Sequence, residues 1–237
     1  MKKVFYIMTI ITAFLFLGSC NSDDNNDLYY PVGGFTMVNA YTGSEAIYYS
    51  VDGRPIQSIV APLTYQKFGY INLWQGKRLI SISDRVNVLA NVEQQIVENI
   101  FYTSFMGGSE KNKTHFITED RISAIVPDKE NGLAAFRFFN LSGDDIEVSL
   151  QFNDEEVLPE FENRKMDTEE TSKQTQTFIT LPGNEYTLRV VNKDGQVLAE
   201  KKNVKILNRG FYTAILIGSK EDSNKPYHIG LLEQPVN

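Results

Sequence analysis

The chain has one cysteine, two histidines and one tryptophan in 237 residues. A single thiol excludes an intrachain disulfide framework and any zinc site built on several cysteines. Two histidines leave little material for a metal centre or a catalytic triad, and no metal or cofactor is expected. Positive charge is also in short supply: 23 Lys and Arg stand against 30 Asp and Glu, a net of -7. A nucleic-acid partner is therefore not expected, because it would need a basic face to neutralise phosphate. There is no Gly-x-Ser-x-Gly elbow of the kind that exposes a serine nucleophile, and no calcium-loop spacing among the acidic residues. An enzyme is accordingly not the expected class. What is present, 42% hydrophobic and 22% charged residues, is ordinary for a globular protein and excludes wholesale disorder.

The one long apolar run lies at the N-terminus. Met1-Lys2-Lys3 is followed by an almost unbroken hydrophobic stretch from Val4 to Leu17. That stretch is shorter than the roughly 20 residues needed to span a bilayer as a helix, so residues 1–19 read as a signal peptide. It ends in Leu17-Gly18-Ser19-Cys20, which resembles the lipobox of bacterial lipoproteins. The resemblance implies cleavage before Cys20 and acylation of its thiol, which would use the only cysteine and anchor the protein to a membrane without crossing it. Residues 20–33 then read as a disordered acidic tether. Within it, Asn21 to Asp27 resembles the acidic lipoprotein export signal of Bacteroidota. The implied location is the outer membrane, lipid-anchored and exposed at the cell surface, with a periplasm-facing orientation as the alternative.

The remainder reads as two copies of one unit. Phe35-Thr36-Met37-Val38-Asn39-Ala40 has a counterpart in Phe136-Arg137-Phe138-Phe139-Asn140-Leu141. Tyr70-Ile71-Asn72-Leu73 matches Phe178-Ile179-Thr180-Leu181, and Phe101-Tyr102-Thr103 matches Phe211-Tyr212-Thr213. His115 and His228 also fall at matching places, which favours a role in shared architecture over catalysis. The repeats are expected over residues 34–126 and 133–237, with the boundary near Val126 to Gly132.

Each repeat reads as all-β. Val51-Asp52-Gly53-Arg54 is a two-residue hairpin signal. Ile146 to Phe152 and Tyr186 to Val190 alternate strictly, and Asn192-Lys193-Asp194-Gly195 is a turn. Helix signals are poor, the best being the polar, short segment Val92 to Asn99. Glu160 to Gln176 reads as a long, solvated, acidic loop. Six or seven strands per repeat predict two tandem antiparallel β-sandwich domains, with apolar residues inward and polar residues outward on both sheets. The opening strand ending in Asn39 or Asn140, the Val51-Asp52-Gly53 turn and the late Phe-Tyr-Thr strand are similar to those of the domain-of-unknown-function 4397 family. That resemblance implies tandem immunoglobulin-like sandwiches in secreted or membrane-anchored proteins, and it implies no activity.

The binding candidates are aromatic. The repeat alignment sets Leu73-Trp74-Gln75-Gly76 against Leu181-Pro182-Gly183-Asn184, so Trp74 is expected at a loop tip, with Tyr65 and Phe68 in the preceding loop extending its platform. An exposed tryptophan face suits stacking on a sugar ring or anchoring a protein contact. The expected function is a non-catalytic envelope recognition module for a glycan or a protein. The alternative is a structural or assembly subunit of a surface complex or pilus-like structure.

Overall fold

The structure is a computed structural model and describes residues 29–120, 132–153 and 157–234. The signal peptide, Cys20, most of the tether and nearly all of the segment between the repeats lie outside the described residues.

The first series of strands is β1 (Val32–Asn39), β2 (Ala46–Val51), β3 (Arg54–Pro55), β4 (Leu63–Thr64), β5 (Phe68–Trp74), β6 (Gly76–Ser83), β7 (Val88–Ile96), β8 (Phe101–Gly108) and β9 (Lys113–Glu119). They form a sheet of order β5-β1-β8-β9 and a second of order β3-β2-β6-β7, with β4 attached to β2. The second series is β10 (Leu133–Asn140), β11 (Val148–Phe152), β12 (Ile179–Pro182), β13 (Glu185–Asn192), β14 (Val197–Lys205), β15 (Phe211–Ile217) and β16 (His228–Glu233). Its sheets run β12-β10-β15-β16 and β11-β13-β14. Both series share one connectivity, including an unusual parallel contact of the first strand with the penultimate one, β1 with β8 and β10 with β15. The architecture is all-β, two sandwich-like pairs of sheets.

Local chemistry accounts for the turns. Asp52 and Gly53 have φ of 52° and 76°, the doubly positive geometry of a type I′ hairpin, and Val51 pairs with Arg54 across it. At the β6–β7 turn the Asp84 carboxylate accepts the N–H groups of Val86 and Asn87, an Asx turn that starts β7 at Val88. Asn192 uses its side chain in the same way for Asp194 and Gln196. The weak helical candidate Val92 to Asn99 falls mostly in β7, an edge strand paired with β6 over its whole length. Glu160 to Gln176 is not simply a solvated loop. It contains a short 3-10 turn, Pro159–Phe161, that buries Phe161, and a helix, α1 (Glu169–Thr175), packed against β9 and β10. A reciprocal Thr168–Thr171 capping box opens α1. Its threonine at the third helical position lacks the usual Glu or Gln signature.

Each sandwich has its own core. Phe35, Met37, Tyr102 and Met106 of one sheet meet Ile47, Tyr49, Ile80 and Ile82 of the other. In the second, Phe136, Phe138, Tyr212 and Leu216 meet Val148, Leu150, Leu188 and Val190. The expected polar outer faces are found on the three-stranded and five-stranded sheets but not on the two four-stranded ones. β8 is buried from Tyr102 to Gly108 and β15 along its full length. The reason is a third core, in which the outer faces of the two four-stranded sheets pack on one another. Phe105 and Phe116 meet Phe139 at ring-centroid distances of 5.1 and 5.2 Å, together with Val38, Ile215, Ile217 and Leu232. Four layers result, and Pro31–Asn237 is one compact unit. Strands buried on both faces read as continuous apolar runs instead of alternating ones, as Phe211-Tyr212-Thr213-Ala214-Ile215-Leu216-Ile217 does.

A polar cluster sits inside that interface. Arg137 is fully buried and pairs with Asp120 at 2.7 Å. Its Nε donates to Thr213 and its Nη1 to the Gln176 carbonyl, while its guanidinium lies 4.3 Å from the Phe178 ring centroid. Asp120 also accepts from the Thr103 and Thr118 hydroxyls, at 2.7 and 2.8 Å. Gln234 donates to Thr213. The Arg137 fork and both Asp120 oxygens are thus satisfied by groups drawn from both sandwiches, the condition under which a buried ion pair is tolerated.

Candidate functional site

The three aromatic candidates do not form one platform. Trp74 is exposed, but as the last residue of β5 opposite Val32 instead of at a loop tip. Phe68 is the first residue of the same strand, also exposed. Six residue-to-residue steps of extended chain, about 20 Å, separate them. Tyr65 points elsewhere: it is half-buried, packs against the inter-sandwich core and carries Lys225 Nζ 5.2 Å from its ring centroid. Lys225 in turn donates to the Thr42 and Ser44 carbonyls and pairs with Glu45 at 2.7 Å. Tyr65 is therefore part of the junction that holds the repeats together.

Between Phe68 and Trp74, strand periodicity puts Tyr70 and Asn72 on the same outward face. The exposures of Phe68, Tyr70 and Trp74 are 54, 44 and 59%. Tyr70 Oη donates to Asn72 Oδ1 at 2.8 Å, fixing the ring along the strand. The equivalent of Tyr70 in the second repeat, Phe178, is buried on Phe211 and Arg137. The same strand position is thus packed in one copy and presented to solvent in the other. Tyr70 and Asn72 were visible in the sequence only as half of a repeat block; their alternation with Phe68 and Trp74 was the available signal.

Beyond Trp74 the open end of the first sandwich forms a pocket of about 400 Å³, lined by Val51, Ile56, Leu73 and Trp74 with Asp52, Arg54 and Arg78 at its rim. Arg78 is immobilised by three acceptors, the Trp74 and Gln75 carbonyls and the Asp52 carboxylate. The Leu79 N–H and then Arg78 hold the Asp52 carboxyl below the usual carboxylate range. The pocket rim is therefore charged and rigid while its floor is apolar.

A larger and more polar groove, about 980 Å³, lies where loops of both repeats converge, between Ser109–Asn112 and Ser219–Asn224. Asp144, adjacent to Asp145 in the sequence, is a clamp there. It accepts from Ser219 Oγ at 2.7 Å, the Lys220 N–H at 2.8 Å and Tyr227 Oη. Burial pushes its pKa up, but these bonds outweigh it and leave the carboxyl lowered. Asp154, Glu155 and Glu156 lie outside the described residues, and among the described residues no group of three His, Cys, Asp or Glu side chains is placed to hold a metal ion.

The two histidines are not equivalent. His115 pairs with Met106 on β8, whereas Leu216, the counterpart of Met106, pairs with Ile229. His228 is displaced by one residue, and in a strand one residue turns a side chain to the opposite face. His115 faces the core of the first sandwich, its Nε2 3.0 Å from Ser104 Oγ, which is itself 3.0 Å from Tyr49 Oη. A serine beside a histidine has the outline of an activated nucleophile, yet Ser104 is wholly buried and its oxygen lies among core side chains. Burial lowers the His115 pKa to about 4, against a weaker opposing effect of Glu169. The folded protein thus holds it neutral where the unfolded chain, with an ordinary value near 6.5, takes up a proton. Stability from this group is complete above about pH 6.5 and is lost as the pH falls through about 4, by about 3 kcal/mol in all. In denaturant titrations across that window His115→Gln should flatten the pH dependence; an unchanged slope would remove His115 as its cause.

No protein-family model matches the chain, and no curated protein is similar to it in sequence.

Proposed function

We propose that this protein is a non-catalytic recognition module of the cell envelope, with its ligand face on β5. The observation that carries this reading is the row of exposed Phe68, Tyr70 and Trp74 along one strand, beside an apolar pocket with a charged rim. Aromatic rings presented on a rigid sheet bind with little loss of side-chain freedom, and they suit either a sugar ring or a protein anchor. The sandwiches belong to the immunoglobulin-like class on this reading, and the domain-of-unknown-function 4397 resemblance is in keeping with their shared connectivity. The lipobox-like Leu17 to Cys20 supports a lipid anchor at Cys20, and the acidic stretch after it supports display at the outer-membrane surface. A second reading, a structural or assembly subunit, is favoured by one feature, the open edge of β5.

The test is binding of the full chain to a broad panel of glycans and isolated envelope proteins, with Trp74→Ala in parallel. Saturable binding to one ligand, weakened about tenfold or more in the variant at an unchanged melting temperature, is the expected result; a loss of about 2 kcal/mol at a binding hot spot is ordinary. Equal binding by both proteins would remove β5 as the ligand face.

A further inference from the structure

Among the described residues β5 is an edge strand, paired with β1 on one side only. The Asn39 N–H donates to the Lys67 carbonyl and the Gln75 N–H to the Pro31 carbonyl. Antiparallel alternation then turns the backbone groups of Gly69, Ile71 and Leu73 toward β1 and those of Phe68, Tyr70 and Asn72 outward. Beyond them the edge is closed, because Arg78 already occupies the Trp74 carbonyl.

Proteins normally protect such edges with charge, proline, short length or a covering segment, and the other edges among the described residues are protected in those ways. β7, β9, β14 and β16 each carry charged residues, β12 is four residues ending in Pro182, and β3 is two residues including Arg54. The outer edge of β11 is bridged by Arg164 at Val148. Among the described edge strands only β5, Phe-Gly-Tyr-Ile-Asn-Leu-Trp, combines a length of seven residues with no charge and no proline.

The surroundings indicate what would lie there. The outward face of β5 continues the surface through which the sandwiches pack: Phe68 is paired directly with Val38, a member of the inter-sandwich core. On the inward side the apolar pocket of Val51, Ile56 and Leu73 opens next to the edge. At the two ends stand Lys67 and Arg54, both exposed, neither in an ion pair among the described residues. In a chain of net charge -7, an uncharged edge with a cation at each end is complementary to an apolar strand with acidic ends.

We propose that β5 is a strand-addition site for an extended segment of another protein, with apolar or aromatic residues at alternate positions and acidic residues at its ends. The proposal rests on the recognition reading above and assigns its partner class. The incoming backbone would pair with Phe68, Tyr70 and Asn72, one inward side chain would enter the pocket, and Lys67 and Arg54 would set the register. Main-chain pairing supplies affinity in this mode, and pockets for alternate side chains supply specificity.

The probe is a labelled nonapeptide, Asp-Thr-Val-Thr-Tyr-Thr-Val-Thr-Glu, titrated into the full chain by fluorescence anisotropy, beside the same peptide with Asn and Gln ends. Saturable micromolar binding is expected, weaker for the neutral-ended peptide and falling with salt. Hydrogen–deuterium exchange over Phe68 to Trp74 should slow when the probe is bound. Asn72→Pro removes an outward N–H and leaves the β1 ladder intact, so it should weaken binding at least tenfold; Tyr70→Pro, with the melting temperature of each variant, guards against misfolding at one position. Absence of peptide binding up to millimolar concentration, or binding by both proline variants as tight as by the unsubstituted protein, would overturn strand addition. If a glycan binds through Trp74 and both proline variants retain it, the recognition reading survives and strand addition fails. If no glycan, envelope protein or peptide binds, both fail.

Discussion

Asp120→Ala should lower the free energy of unfolding by about 3–5 kcal/mol, the usual cost of removing one partner from a buried ion pair. The cost arises from what is left behind. Arg137 would remain fully buried with its Nη2 donor unmatched, and the Thr103 and Thr118 hydroxyls would lose their shared acceptor. Burial already lowers the Arg137 pKa, and Asp120 is the charge opposing that effect. Removing both charges should be milder: Asp120→Ala with Arg137→Met leaves no isolated ion, and a buried pair replaced by apolar groups is often near neutral. A double-mutant cycle from denaturant unfolding measures the coupling. If the single variant lost less than about 1 kcal/mol, the cluster would not be the desolvated pair described here.

Phe139→Ala should cost a similar amount, about 3–5 kcal/mol for a buried phenylalanine, and should do something that a core substitution within one sandwich does not. Phe139 is fully buried between the four-stranded sheets, against Phe105, Phe116 and the Arg137 guanidinium. Phe136, three residues earlier, is equally buried but packs on Phe152 and Phe161 inside the second sandwich. Both alanine variants should be destabilised. Only Phe139→Ala weakens the contact that makes the two sandwiches unfold together, so its calorimetric transition should broaden or split, while Phe136→Ala keeps one cooperative step. Equal cooperativity in the two variants would mean that the third core is not what couples the sandwiches.

Turns and inward faces were legible because they are local: Asp52-Gly53 requires positive φ at both positions, and Val148, Leu150 and Phe152 alternate as a half-buried strand does. Trp74 is exposed as the repeat alignment led one to expect, but as the outward-facing last residue of β5 and not as part of a turn. The histidine match failed because a block alignment tolerates a one-residue slip, whereas a β ladder turns it into a change of face. Tyr65 looked like part of a platform because nothing local to it announces Lys225, which is 160 positions away in the chain. The helix Glu169–Thr175 was hidden in an acidic stretch whose cap is Thr-x-x-Thr.

By itself, then, the sequence determined the all-β class, the hairpin turns and the repeated order of strands, since these rest on backbone preference and period-two burial; it set six or seven strands where the first series has nine, and it read Phe68 and Trp74 as loop residues where they begin and end β5. Only the tertiary structure decided which faces are wet. Arg137 in Phe136-Arg137-Phe138 reads as the polar outward position of an ordinary strand, and Tyr70 and Phe178 read as interchangeable members of a repeat. Packing of one four-stranded sheet on the other buries Arg137 beside Asp120, while Phe178 is covered within its own repeat by Ala135, Phe211 and Arg137, and Tyr70 is left in solvent. The burial of a face depends on the second surface brought against it, and no period within a single strand encodes that surface.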